Sequence, residues 1–167
     1  MHDELTEVDI KKMKEEIEYR THELTPKLKA ELQYARELGD LSENDEYRTA
    51  KRELNRNYSR IKYLTNMINT AKIIKVNSAD NKVGLFDRVT LFYEEDESEQ
   101  VVTIATTLRS DPLSGIISKE SPLGKALLGR MQGDRIKIDV NEKYSYYVQV
   151  RAIEKGVDDD TLEINSY

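Results

Sequence analysis

Residues 36–50 read RELGDLSENDEYRTA. Five carboxylates (Glu37, Asp40, Glu43, Asp45 and Glu46) crowd around Gly39 and Ser42. Upstream, Leu28, Leu32, Ala35 and Leu38 form an apolar stripe at helical spacing, and Gly39 ends it, as glycine does past a helix C-terminus. Downstream, Tyr47, Leu54, Ile61 and Ile68 recur every seven residues, with Ala50, Leu64 and Ala71 between them and polar Asn57 as the exception. That is an a/d seam held over about three heptads. Ser42, with Asp45 three residues on, is a capping-box variant that opens the second helix. The segment Gly39-Asp40-Leu41 is then the exposed tip of an antiparallel helical hairpin.

Farther upstream, Ile10, Ile17 and Leu24 repeat at seven with Met13 between them. Thr25-Pro26 reads as an N-cap followed by proline at the first helical position, so a new helical segment is expected there. In the second half the period changes to two. Val89-Leu91-Tyr93, Val102-Ile104, Ile136-Ile138-Val140 and Tyr146-Val148-Val150-Ala152 alternate with polar residues, as half-buried strands do. EEDESE (94–99) reads as a hairpin loop, and Ser121-Pro122 opens a short helix that ends at Gly129. The prediction is an α+β chain: a coiled-coil hairpin over 1–75, a linker over 76–85 rich in turn formers, a compact domain over 86–157 and an acidic, partly ordered tail over 158–167.

Composition agrees with long solvated helices. Charged residues are 35% of the 167-residue chain and apolar ones 38%. With no cysteine there is no disulfide, thiolate metal site or cysteine nucleophile, which fits a reducing compartment. No apolar run approaches a membrane span and the acidic N-terminus is unlike a signal peptide, so the expected location is the cytoplasm. Charge is uneven: residues 1–75 are neutral overall, and residues 76–167 carry the whole net charge of −6. From Tyr47 to Lys75 there are eight basic residues and one acid, Glu53, so acids sit at the head of a basic helix.

Several chemistries lack their residues. Gly124-Lys125 has neither the upstream glycine nor the Ser/Thr of a phosphate loop, and His2 and His22 have no ligand or nucleophile spacing. At the tip, Asp40 and Glu43 stand three residues apart across a turn, where two carboxylates can share a hard cation such as Mg²⁺. The same acids also complement the dipole of the helix they precede, and spacing alone leaves both readings open. Arg48, Arg52, Arg56 and Arg60 recur every four residues along one face, close to Lys51. They are either a solvated face pairing with Glu15, Glu16, Glu18 or Glu23, or a guanidinium track for a nucleic-acid backbone.

The string Ala35-Arg36-x-x-Gly39-Asp40-Leu41-Ser42-Glu43-Asn44-x-Glu46-Tyr47, followed by Lys51 and Arg60-Ile61, resembles the hairpin tip of the bacterial transcript cleavage (Gre) factors. Ile117-Ser118, Ser121-Pro122-Leu123-Gly124-Lys125-Ala126-Leu127-Leu128-Gly129 and Gly133-Asp134 resemble that family's C-terminal domain, and the likeness runs from about Leu5 to Lys155. The resemblance implies an N-terminal antiparallel coiled coil, a C-terminal FKBP-like domain that docks on RNA polymerase, and a tip that reaches down the secondary channel. There Asp40 and Glu43 would help hold a Mg²⁺ shared with the polymerase active centre, and none would be bound tightly by the free protein. The extruded 3′ end of the nascent RNA would be hydrolysed by the polymerase, with this chain as activator and not itself an enzyme. On that reading the basic face Arg48, Lys51, Arg52 and Arg56 would contact the RNA, Ser121, Pro122 and Leu123, which match the family's Ser-Pro-Leu-Gly segment, would dock on the polymerase, and DNA would be met only through the complex. The chain departs from the family at Asp45, where a small apolar residue is usual, and at ELNRNY (53–58). The alternative is a non-cleaving Gre-like regulator that inhibits polymerase by filling the channel. A prolyl-isomerase role is disfavoured, since the second half holds only two Phe and no Trp or His for an aromatic pocket.

Overall fold

The computed structural model describes residues 3–40 and 43–166. The chain forms two units, one built on Ile10–Lys72 and the other on Glu4–Asp9 together with Ile73–Ser166. The fold class is α+β.

α1 (Glu7–Tyr19), which belongs to the helical unit from Ile10 onward, runs through a π turn (Arg20–Leu24) into α2 (Thr25–Glu37), and α3 (Asp45–Thr70) packs against α2. The N-cap expected at Thr25 is absent: Leu24 is already helical, and Thr25 N–H donates to the Arg20 carbonyl five residues back. The cause is Pro26. Its ring cannot sit against the carbonyl four residues back in a regular helix, and one extra residue in the turn relieves the clash without ending the helix. Thr25 Oγ1 donates to the same Arg20 carbonyl at 2.6 Å.

The seam forms as its period demands. Leu54, Leu64 and Ala35 are buried, and Leu28, Leu32, Tyr47 and Ile61 are half-buried. Leu38 lies past the end of α2 and is 50% exposed. The polar exception at the seam has partners: Asn57 Nδ2 donates to Thr25 Oγ1 at 2.6 Å, and its Oδ1 accepts from Arg20 at 3.1 Å. Arg20 also donates to Glu16.

The second unit holds the short strand β1 (Glu4–Leu5), and the two-residue β2 (Lys72–Ile73) spans the last residue of the helical unit and the first that follows it. The second unit also holds a five-stranded sheet in the order β5-β4-β3-β7-β6. Its strands are β3 (Arg88–Tyr93), β4 (Ser98–Ala105), β5 (Ile116–Ser118), β6 (Arg135–Asn141) and β7 (Tyr144–Glu154). All pairings are antiparallel except β4 with β5. One sheet face supplies the core, including Val89, Leu91, Ile136, Ile138, Val148 and Val150, closed by Leu127 of α4 (Pro122–Leu127). Ser121 caps α4 by accepting from Gly124 N–H at 3.0 Å. Position 124 must be glycine, since a Cβ there would lie 2.1 Å from the Ser118 carbonyl oxygen.

A polar cluster occupies the same unit. Thr6 and Asp9 cap the start of α1 reciprocally, and Asp9 Oδ1 lies 2.7 Å from the fully buried Arg109 Nε and accepts from Thr106. Arg109 also pairs with Asp158 and donates to the Asp159 carbonyl. Asn165 donates to the carbonyls of Leu108 and Thr107, so the described part of the acidic tail is tied to this unit.

Candidate functional site at the helical hairpin tip

Charge at the tip is set by where α2 stops and α3 starts. Gly39 has φ +131°, a conformation that glycine tolerates and side chains resist. Asp40 follows it and Glu43 precedes α3, both exposed, on either side of Leu41 and Ser42, which lie outside the described residues. The capping box expected from Ser42 lies outside the described residues, and the N-cap of α3 is Asn44. Asn44 Oδ1 accepts from Tyr47 N–H at 2.9 Å. Its Nδ2 donates to the Ala35 carbonyl at 2.7 Å, tying the head of α3 to the last turn of α2. One amide side chain thus fixes the closing geometry of the hairpin. Asp45 and Glu46 fill the first turn of α3, where the dipole favours negative charge.

The donors fit a shared cation only in part. Two exposed carboxylates offer the oxygens that Mg²⁺ takes. Among the described residues no group of three His, Cys, Asp or Glu side chains is placed to hold a metal ion.

The basic helix divides in two. Arg48, Lys51, Arg52 and Arg56 are exposed. Arg48 lies 3.7 Å from Asp45 and Arg56 lies 3.6 Å from Glu53, pairs too exposed to hold the side chains down. Arg60 does not continue the track. Its side chain is 4% exposed and it grips Glu16 with two hydrogen bonds, at 2.9 and 3.1 Å. The partner-helix pairing proposed from charge pattern thus holds for Arg60 with Glu16. Burial pushes the Glu16 carboxyl up, but hydrogen bonds and charge from Arg60 and Arg20 outweigh it and hold the group below its usual range. Near the tip, Arg36 and Lys51 both stand over the Tyr47 ring, at 5.8 and 5.9 Å from its centroid, so cations from two helices share one aromatic. Sequence periodicity gave Tyr47 only a seam position, because the pairing depends on which residues meet across the hairpin.

In the sheet unit, Pro122 is exposed while Leu123 is half-buried against the core. Of the three candidate docking residues, Pro122 presents the freest surface and Ser121 is engaged as the cap.

Residues 4–73 match the family model described as transcription elongation factor, N-terminal, and residues 78–155 match that described as transcription elongation factor, GreA/GreB, C-term. The class defined by this hairpin and sheet domain is therefore that of transcription elongation factors. Transcription elongation factor GreA of Oenococcus oeni is 37% identical over 153 residues, covering 91% of this chain and 94% of that protein. GreA of Bacillus licheniformis is 38% identical over 135 residues, covering 80% of this chain and 85% of that protein. Among solved structures, GreA factor homolog 1 (Gfh1) of Thermus thermophilus aligns with a TM-score of 0.42 at 26% identity, covering 93% of this chain and 100% of that one. The chain belongs to the GreA/GreB family of transcription elongation factors. Among the described residues no helix is long and apolar enough to cross a membrane.

Proposed function

We propose that this chain binds RNA polymerase and stimulates hydrolytic cleavage of backtracked nascent RNA, reaching the active centre through the secondary channel and rescuing arrested complexes. The observation that carries the reading is the pair of exposed acids, Asp40 and Glu43, at a hairpin tip closed by Asn44, in a chain of the GreA/GreB family. Asp40 and Glu43 would supply oxygen ligands to a Mg²⁺ that the polymerase also holds. When bound, that ion neutralises charge at the scissile phosphate and makes water a better nucleophile. The carboxylates of this chain orient that water by accepting hydrogen bonds from it. Exposed Arg48, Lys51, Arg52 and Arg56 contact phosphates of the extruded RNA along α3. The edge of the sheet unit at Ser121, Pro122 and Leu123 docks on the polymerase, where the proline ring limits the entropy lost on binding. The polymerase performs the hydrolysis, and this chain completes its site.

The test is a stalled, backtracked polymerase complex carrying end-labelled RNA. Adding the protein should accelerate release of 3′ fragments and restore elongation. Slower elongation with no released fragment would instead establish the non-cleaving inhibitor. The protein alone with the same RNA should yield no product.

A further inference from the structure

Alternation along β3 and β7 places Tyr93 and Tyr146 on the same sheet face as buried Leu91, Val148 and Val150. At the end nearest the β3–β4 hairpin Tyr93 and Tyr146 are half-buried at the margin of the core. Tyr93 stacks on Tyr146 with centroids 5.9 Å apart and an interplanar angle of 22°, and Tyr144 follows Tyr146 at 5.9 Å and 35°. Tyr144 is 45% exposed, and Val140 on β6, 44% exposed, is a further exposed apolar residue of this β6–β7 hairpin. Three tyrosine rings thus form a ladder along the sheet.

Carboxylates border it. The 94–99 segment carries five acids, of which Glu94 is taken by Arg135 and Gln149, and Asp96 by Ser98. Glu95 accepts from Tyr144 Oη at 2.8 Å, which holds the Tyr144 hydroxyl protonated above its usual range. Glu97 and Glu99 are exposed and have no partner among the described residues. The nearest cation in sequence, Lys143 in the β6–β7 turn, is offset by its neighbour Glu142.

The opposite face of the same sheet shows what satisfies such an arrangement. There Arg135 lies 3.8 Å from the Tyr147 centroid while holding Glu94 through two hydrogen bonds, and Arg151 lies 4.6 Å from the Phe92 centroid. A planar guanidinium fills both roles at once, stacking on a ring and pairing with a carboxylate, as a lysine ammonium cannot. On the ladder face the ring and the carboxylate are present and the cation is missing. Among the described residues no Arg or Lys stands over Tyr93, Tyr144 or Tyr146.

We propose that the Tyr93–Tyr146–Tyr144 ladder, with Glu95 and Glu97, is a docking surface for an arginine-bearing segment of a partner protein. Tyrosine-rich, partly desolvated patches with charges at the rim carry much of the energy of protein interfaces.

The experiment follows tyrosine-ring resonances of the full-length chain by two-dimensional NMR during titration with a blocked Gly-Arg repeat peptide, and with its Gly-Lys counterpart. The rings of Tyr93, Tyr144 and Tyr146 should shift saturably with the arginine peptide and about fivefold more weakly with the lysine peptide. Tyr144→Ala should weaken binding about fivefold. Glu95→Gln with Glu97→Gln keeps every ring, should give a similar loss, and should flatten the salt dependence. Tyr147→Phe, on the opposite face, should change nothing. Equal response to both peptides, shifts confined to other tyrosines, or full affinity in the Glu95→Gln, Glu97→Gln protein would overturn the proposal. So would the same shifts appearing on raising protein concentration without peptide, which would make a second copy the occupant.

Discussion

Glu16 shows how a carboxylate on a charged helix can serve the fold alone. It accepts from Arg60 and Arg20, and the Arg60 side chain is 4% exposed, so the pair is shielded from the water that weakens surface ion pairs. Because the folded-state value lies below the usual 4.5, Glu16 contributes stability at neutral pH, lost as pH falls through 4.5 and then through the lower folded value. Glu16→Gln should therefore destabilise the helical unit by roughly 3 kcal/mol at pH 7, by leaving Arg60 buried without its counter-charge. Urea midpoints measured from pH 7 to pH 3 should converge, as the wild type protonates the same carboxyl. The exposure of Asp40 and Glu43 was legible from sequence for the opposite reason: a glycine-terminated helix and a following polar turn put both acids at a hairpin tip, so neighbours in sequence suffice to place them. Arg60, by contrast, looked like the fourth member of a basic row, and only the approach of Glu16, 44 residues away in sequence, removes it from that face.

At the scale of elements, period predicted strands and seam but not local relief. The π turn before Pro26 was hidden because proline signals a helix start as readily as a widened turn. The three-residue β5 is too short to show alternation, and its place depends on pairing with Thr103–Ala105. The widened turn depends on its hydroxyl. Thr25→Val keeps the side-chain shape but removes the acceptor of buried Asn57 Nδ2 and the donor to the Arg20 carbonyl. A loss of about 2 kcal/mol in denaturant unfolding, with the m-value unchanged, is expected. Wild-type stability in the variant would mean that Asn57 finds another partner. The basic face of α3 is tested by Arg52→Glu with Arg56→Glu, two exposed positions where folding should survive. Cleavage stimulation should fall chiefly on complexes with long extruded RNA, and added salt should weaken the wild type in parallel. Equal loss on short and long RNA would point to disturbed helix packing.

At the scale of the molecule, sequence order and structural unit do not coincide. Glu4–Asp9 belongs with the sheet unit, where Asp9 faces Arg109 and Glu4 pairs with Lys119. A boundary drawn from composition near residues 76–85 could not reveal this, since pairing across about a hundred residues leaves no periodic trace. A fragment beginning in the linker would strip Arg109 of Asp9, so docking is best tested in the full chain. Pro122→Asp alters an exposed position beside the Ser121 cap and should weaken competition with wild type for polymerase at least tenfold, with the thermal midpoint nearly unchanged. Undiminished competition would move the docking surface elsewhere on that unit.

If Asp40 and Glu43 complete a metal site shared with the polymerase, the Mg²⁺ dependence of transcript cleavage in a backtracked complex must depend on them. Wild-type protein should lower the Mg²⁺ concentration needed for half-maximal cleavage. Asp40→Asn with Glu43→Gln, matched in shape and exposed in the fold, should restore the requirement of polymerase alone while still competing with wild type for binding. If the doubly substituted protein lowered the Mg²⁺ requirement as the wild type does, the two carboxylates would not be ligands and the account would be contradicted.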